Sequence, residues 1–198
     1  MKVQKFELVV PEGRELASQH VIMQHGQQYR IQVSNHSYVR CDAVVSLDGD
    51  EIGTYRLSAG QVWAIEHPAD SQQRFTFYAS GTSEAAAVGE AVLNKDEKGL
   101  VQVTFYPEKS YGDDYVLETL GSTRGGLFGA TRGGKGLGLG AGVSGLSGHS
   151  DAQYGRASSI ERDEDNAVTI TLRLVTEDTT PQPISLRRRI ANPIPRAV

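Results

Sequence analysis

Residues 41–57 read CDAVVSLDGDEIGTYRL, and their pattern decides the fold class. Cys41, Ala43, Val45 and Leu47 alternate with Asp42, Val44 and Ser46. A two-residue period of this kind marks a strand with one buried face. Asp48-Gly49-Asp50-Glu51 then supplies turn chemistry, because glycine takes the positive φ that a tight hairpin needs. A return strand from Ile52 to Leu57 completes a predicted hairpin.

The same pattern recurs on both sides of this hairpin. Phe6, Leu8 and Val10 alternate before Pro11, and Tyr29, Ile31 and Val33 alternate with Arg30, Gln32 and Ser34. Further strands are predicted at Val62–Glu66, at Arg74–Ala79 with Phe75 and Phe77 inward, at Leu100–Tyr106 and at Val168–Val175. One short helix is predicted after a Ser83 cap, through Glu84–Val88, closely bracketed by Gly81 and Gly89. There is no alternation of strands with helices and no internal repeat. Short strands separated by turn signals predict an all-β chain, an antiparallel β-sandwich of jelly-roll type. The expected organisation is a single domain over 1–182, with a Gly-rich insertion loop at 121–148 and a basic, proline-containing arm at 183–198.

The 198 residues carry a net charge of −4, unevenly spread. Residues 121–148 hold Arg124, Arg132 and Lys135 and no acid; residues 183–198 hold Arg187, Arg188, Arg189 and Arg196 and no acid. The rest of the chain is therefore strongly acidic. Basic segments on an acidic body suit docking onto acidic surfaces, either nucleic acid or another copy of the same body. The overall acidity favours the second. The single cysteine, Cys41, excludes an intrachain disulfide and a Cys-x-x-Cys zinc site. The N-terminal MKVQKFELVVPEG lacks the apolar core of a signal peptide, and no run approaches the ~18 apolar residues of a membrane helix.

The Gly-rich segment contains two well-known nucleotide-binding spacings. Gly129 to Lys135 matches a phosphate-binding P-loop, and Gly140 to Gly145 matches a dinucleotide fingerprint. Both motifs work only between a strand and a helix, where backbone N–H groups cradle phosphate. Gly136 stands where the P-loop needs Ser or Thr, and no helix is predicted after either match. With 12 glycines in 28 positions, such matches arise by chance. No nucleotide or other cofactor is expected. The segment reads instead as a contact loop, with Leu127, Phe128, Leu137 and Leu139 as anchors and Arg124, Arg132 and Lys135 pairing with a partner's carboxylates. Arg187, Arg188 and Arg189 would act in the same way from the arm.

Other constellations are weaker. The five histidines include no His-x-His pair, so no metal site is predicted. His149-Ser150-Asp151 lists triad members, but adjacent side chains point apart and cannot form the relay. The acidic clusters at 48–51 and 163–165 lack the EF-hand spacing and read as turns. Trp63, Tyr55 and Tyr78 would stack on sugars if exposed, but their strand positions favour packing.

The runs NHSYVRCDAVVSLDGDEIGTYRLSAGQVWAIEHPADSQQRFTFY, GLVQVTFYPE, GLSGHSDAQY and VTITLRLV, spread between roughly Tyr29 and Val175, resemble a poorly characterised family of β-sandwich virion-associated proteins of phages and large DNA viruses. The resemblance rests on turns, strands and a Gly-rich loop, so it carries no site residues. It implies a virion component without enzymatic activity, made in the host cytoplasm and not secreted by a signal peptide. The expected function is thus structural: a minor capsid, decoration or similar protein that contacts other virion proteins and copies of itself as a homo-oligomer. Nucleic acid is a disfavoured partner and a membrane is not expected. The alternative is a carbohydrate- or surface-binding β-sandwich module.

Overall fold

The computed structural model describes residues 1–109 and 139–177. The strands are, in chain order, β1 (Lys2–Val3), β2 (Phe6–Val9), β3 (Arg14–Glu15), β4 (His20–Ile22), β5 (Gln27–Tyr29), β6 (Ile31–Asn35), β7 (Cys41–Leu47), β8 (Asp50–Leu57), β9 (Val62–Ile65), β10 (Arg74–Ala79), β11 (Leu100–Pro107), β12 (Leu139–Ser147) and β13 (Val168–Glu177). A short helix α1 (Ser83–Ala87) and a 3-10 turn (Glu90–Val92) lie between β10 and β11. One sheet has the order β1-β2-β6-β9; the other has the order β5-β10-β12-β13-β11-β7-β8, with β4 joined to β13 and β3 to β4. All pairings are antiparallel except β4 with β13, which is parallel.

The architecture is therefore all-β and sandwich-like, and the alternating residues fill its interior. Val101, Val103 and Phe105 of β11 are fully buried, as are Ala43 and Val45 of β7; Ile170, Leu172 and Leu174 of β13 are at most 1% exposed. Across the two sheets, Phe6 stacks on Phe105 with centroids 4.7 Å apart and planes 15° from parallel. Such a pair adds about 0.5–1.5 kcal/mol beyond its buried area. Cys41 is fully buried, and burial pushes its thiol up to about 12.

The hairpin that set the fold class forms as expected. Asp48 and Gly49 both take positive φ, 51° and 93°, which matches the right-handed twist of β7 and β8. Three features differ from the sequence reading. Tyr29 and Ile31 do not share one strand: the chain breaks at Arg30, β5 joins the larger sheet and β6 the smaller. A strand that changes sheets in this way closes a corner of a sandwich. Second, α1 is capped by Thr82 rather than Ser83, its hydroxyl accepting from the Ala85 N–H at 3.2 Å. Third, the expected Gly-rich loop does not extend through 148, because residues 139–147 are the strand β12, between β10 and β13. The dinucleotide-like spacing at 140–145 thus lies inside a strand, and no helix follows it.

Small residues are needed there because aromatic rings occupy the space. In the antiparallel register Gly142 opposes Ala79 and Ser144 opposes Phe77. A Cβ on Gly142 would fall 2.1 Å from the Phe77 ring, which is itself fully buried. The glycine-rich composition therefore cedes volume to β10.

One buried carboxylate ties this strand to the hairpin. Asp48 is 7% exposed. Its two oxygens accept from the N–H groups of Gly99, just before β11, and Ser144 in β12, each at 2.6 Å. The Ser144 hydroxyl lies 2.6 Å from the hydroxyl of Tyr29. Burial raises the Asp48 carboxyl, the Ser144 and Gly99 bonds draw it back, and the balance stands at about 6.

Gly142→Ala is expected to cost about 1–3 kcal/mol through overpacking against Phe77, read as a lower urea midpoint; Gly142→Ala combined with Phe77→Leu should recover part of the loss. An unchanged midpoint for the single variant would contradict this packing. For Asp48, the folded-state value lies above the ordinary 3.8. The resulting stabilisation is fully present below pH ~4 and is lost as pH rises through about 6. Between pH 4 and pH 7 the wild-type protein should lose up to about 3 kcal/mol relative to the Asp48→Asn variant. Parallel urea-stability curves for the two proteins would show that the buried carboxyl does not titrate in this range.

Candidate functional site

A recess among the described residues lies where two sheet edges meet. β8 ends the larger sheet and β9 ends the smaller one. Between them opens a cleft of about 560 Å³, lined among others by Thr54, Tyr55, Arg56, Trp63, Tyr154 and Arg156. Trp63 opposes Val33, and Ile65 opposes Ile31. Val33, Ile31 and Ile65 are all fully buried, so Trp63 projects on the inner side of its sheet. Being on an edge strand, its indole reaches the rim of the sandwich and is 36% exposed.

The irregular segment after β12 forms the far wall, and it is held by polar contacts. Ser150 donates its hydroxyl to Glu66 at 2.8 Å and its N–H to the Gln72 carbonyl at 2.8 Å. The Tyr154 hydroxyl accepts from the Glu66 N–H at 2.9 Å. The His67 ring stacks on Tyr154 with centroids 4.2 Å apart, and Tyr55 meets Tyr154 edge-on at 5.4 Å. The nitrogens of His67, 4% exposed, sit 2.7 Å from the Pro68 carbonyl and 3.0 Å from that of Ala152. These contacts fix Tyr154 in position before any ligand arrives.

The floor is ionic. Asp42, 4% exposed on β7, accepts from Arg56 Nε at 2.5 Å and from Arg162 Nε at 2.9 Å. Arg56 also donates to the Ser158 carbonyl at 2.6 Å, and Arg162 lies over the Tyr106 ring at 5.1 Å. Burial pushes the Asp42 carboxyl up, but hydrogen bonds from Arg56 and Arg162 outweigh it and hold the group below its ordinary value. Asp42 is therefore a charged structural anchor, and its two arginines clamp residues 158–162 over the sheet. Arg156 is exposed, with no acidic partner among the described residues. The surface that the cleft offers a ligand is lined by Trp63, Tyr154, Thr54 and the exposed Arg156.

A second recess of about 390 Å³ adjoins the first, with Ala69 and Tyr154 common to both walls. Its lining includes Asp70, Ser71, Gln72 and Gln153. A third, of about 170 Å³, is mostly apolar and lies beside Asp48 and Ser144, under Val88 and Leu146. Among the described residues no three His, Cys, Asp or Glu side chains converge as a metal site, and no described helix is long and apolar enough to cross a membrane.

Of the contact residues expected from sequence, Leu139 alone is among the described ones. It begins β12, is 37% exposed, and pairs with Glu177 at the end of β13. Arg124, Leu127, Phe128, Arg132, Lys135, Leu137, Arg187, Arg188 and Arg189 lie outside the described residues. In the 149–151 run, Ser150 turns to Glu66 while His149 sits 3.9 Å from Asp151, so the three form no relay. The sequence flagged Trp63 and Tyr55 but favoured packing for both. Tyr55 is buried, and Trp63 is 36% exposed. Arg56, Tyr154 and Arg156 carried no signal in sequence, because they meet through pairing and loop contacts far apart in the chain. No family model, no curated protein and no solved structure matches this chain.

Proposed function

We propose that this protein is a non-enzymatic binding module that takes a saccharide in the cleft between β8 and β9. The observation that supports this reading most is the half-exposed Trp63, set at the mouth of a pre-formed recess beside the immobilised ring of Tyr154. Sugar rings present flat faces of C–H groups that pack on aromatic rings, while their hydroxyls need polar partners at the margin. The recess combines aromatic walls with a few placed polar groups, and its volume falls within the range of small-ligand sites. Its aromatic walls are held in place, so little ordering cost falls on binding.

A second reading, assembly, has its own support. The pairing of Leu139 with Glu177 brings the residue that follows 110–138 beside the one that precedes 178–198, at the end of two interior strands of the larger sheet. Arg14 pairs with Glu177 at the same place. Leu139, which follows 110–138, thus lies beside Glu177, which precedes 178–198. In this reading the protein is a virion component of the kind its sequence resembles. It forms homo-oligomers in which Arg124, Arg132, Lys135 and Arg187–Arg189 meet carboxylates of neighbouring subunits while Leu127, Phe128, Leu137 and Leu139 supply apolar contact. The sandwich is then of jelly-roll type. In support, neighbours such as β10 and β12, or β13 and β11, are not consecutive in the chain.

Trp63 is the chain's one tryptophan, so intrinsic fluorescence reports directly on the cleft. Titration with an oligosaccharide drawn from a glycan array is expected to shift that emission. Trp63→Ala should weaken binding at least about tenfold, measured by calorimetry, with little change in thermal stability. A glycan array without a single binder would end this reading. For the second reading, replacing Arg187, Arg188 and Arg189 together by Glu should lower the sedimentation mass at low salt and leave the circular dichroism unchanged; an unaltered mass would remove the arm from any assembly.

A further inference from the structure

Resting on the saccharide reading, the charge arrangement along the groove points to a more specific ligand. The two recesses flank Tyr154 and share part of their walls, so together they form a groove longer than one sugar ring needs. Their charges are opposite. At the first end Arg56 and Arg162 pair with the carboxylate of Asp42, and the guanidinium of Arg156 lines the same cleft. That carboxylate is already shared between Arg56 and Arg162 and almost inaccessible, so this end carries a positive surplus on a chain that is acidic overall. At the second end the exposed carboxylate of Asp70 stands with the amides of Gln72 and Gln153.

We infer that the groove takes an oligosaccharide in which a uronic acid alternates with a neutral, amide-bearing sugar, the acid lying at Arg156 and the neutral unit at Asp70, Gln72 and Gln153. An arginine fork suits a planar carboxylate, and the charge-assisted bond is the stronger kind. Side-chain amides pair with an N-acetyl group by donating and accepting at once. Asp70 accepts from sugar hydroxyls but repels a second anion, so specificity comes partly from exclusion. A polymer charged at every unit, such as a polyuronate or a single-stranded nucleic acid, would place an anion against Asp70.

Three hexasaccharides test this by calorimetry on the full chain at low salt: hyaluronan, alternately charged; oligogalacturonate, charged at every unit; and chitohexaose, neutral. Hyaluronan is expected to bind about tenfold or more tightly than either of the others. Arg156→Gln should bring it down to the chitohexaose level, and Asp70→Asn should raise oligogalacturonate binding without affecting chitohexaose. Both substitutions are at exposed positions, and an unchanged melting temperature confirms that each variant is folded. Equal binding of chitohexaose and hyaluronan, or an Arg156→Gln variant that binds hyaluronan as before, overturns this inference and leaves the saccharide reading intact. Tightest binding of oligogalacturonate overturns it through Asp70. Binding of none of the three, together with an empty glycan array, overturns both.

Discussion

A single carboxylate holds together parts of this molecule that little else would. Asp48 accepts from the main chain ahead of β11 and from the main chain of β12, while its own position is set by the turn between β7 and β8. β12 is glycine-rich and offers few side chains to bury, so hydrophobic packing alone specifies its register weakly. Main-chain pairing with β10 and β13 and the two bonds to Asp48 supply that specification. A neutral residue unable to accept twice would leave a buried N–H unpaired, at a cost of about 1–3 kcal/mol. A charged carboxylate accepts both bonds, and the burial it needs raises its proton affinity. The same group therefore stabilises the junction and makes it sensitive to pH.

The cleft follows from the way the sheets end. Among the described residues β8 and β9 have no further strand beyond them, and the sandwich opens between them. An open edge normally exposes unpaired main chain and invites aggregation. Here the irregular segment after β12 covers part of the gap, fastened by Asp42 to Arg56 and Arg162 on one side and by Ser150 and Tyr154 to Glu66 on the other. What remains uncovered is a recess with Trp63 at its rim. The ion cluster beneath it is a scaffold whose hydrogen bonds fix the walls, and Arg156 beside it has no acidic partner among the described residues.

The saccharide and assembly readings use different surfaces. The first uses the gap between sheet edges, and the second uses the strand ends where Leu139 and Glu177 pair. They are compatible in one molecule, since a particle component that also holds a glycan needs both a contact surface and a free cleft.

Sequence by itself determined the strands whose one face is buried. The period of two in 41–47, 100–106 and 168–175 reports burial directly, and Asp48-Gly49 reports its turn through the backbone geometry that only a few residues tolerate. It also argued against a dinucleotide motif at Gly140–Gly145, because the required helix cannot form in so much glycine. It did not reveal that these glycines form a strand. Their absent side chains leave no alternation to read, and the reason for them, the Phe77 ring, lies more than sixty residues away in the chain. The switch of sheets at Arg30 and the site of Trp63 were hidden for the same reason. Alternation tells which face of a strand is buried but not which sheet it joins or whether it lies at an edge, and an edge turns a buried-face tryptophan into an exposed one. Those facts depend on contacts between distant segments, and only the tertiary structure decided them.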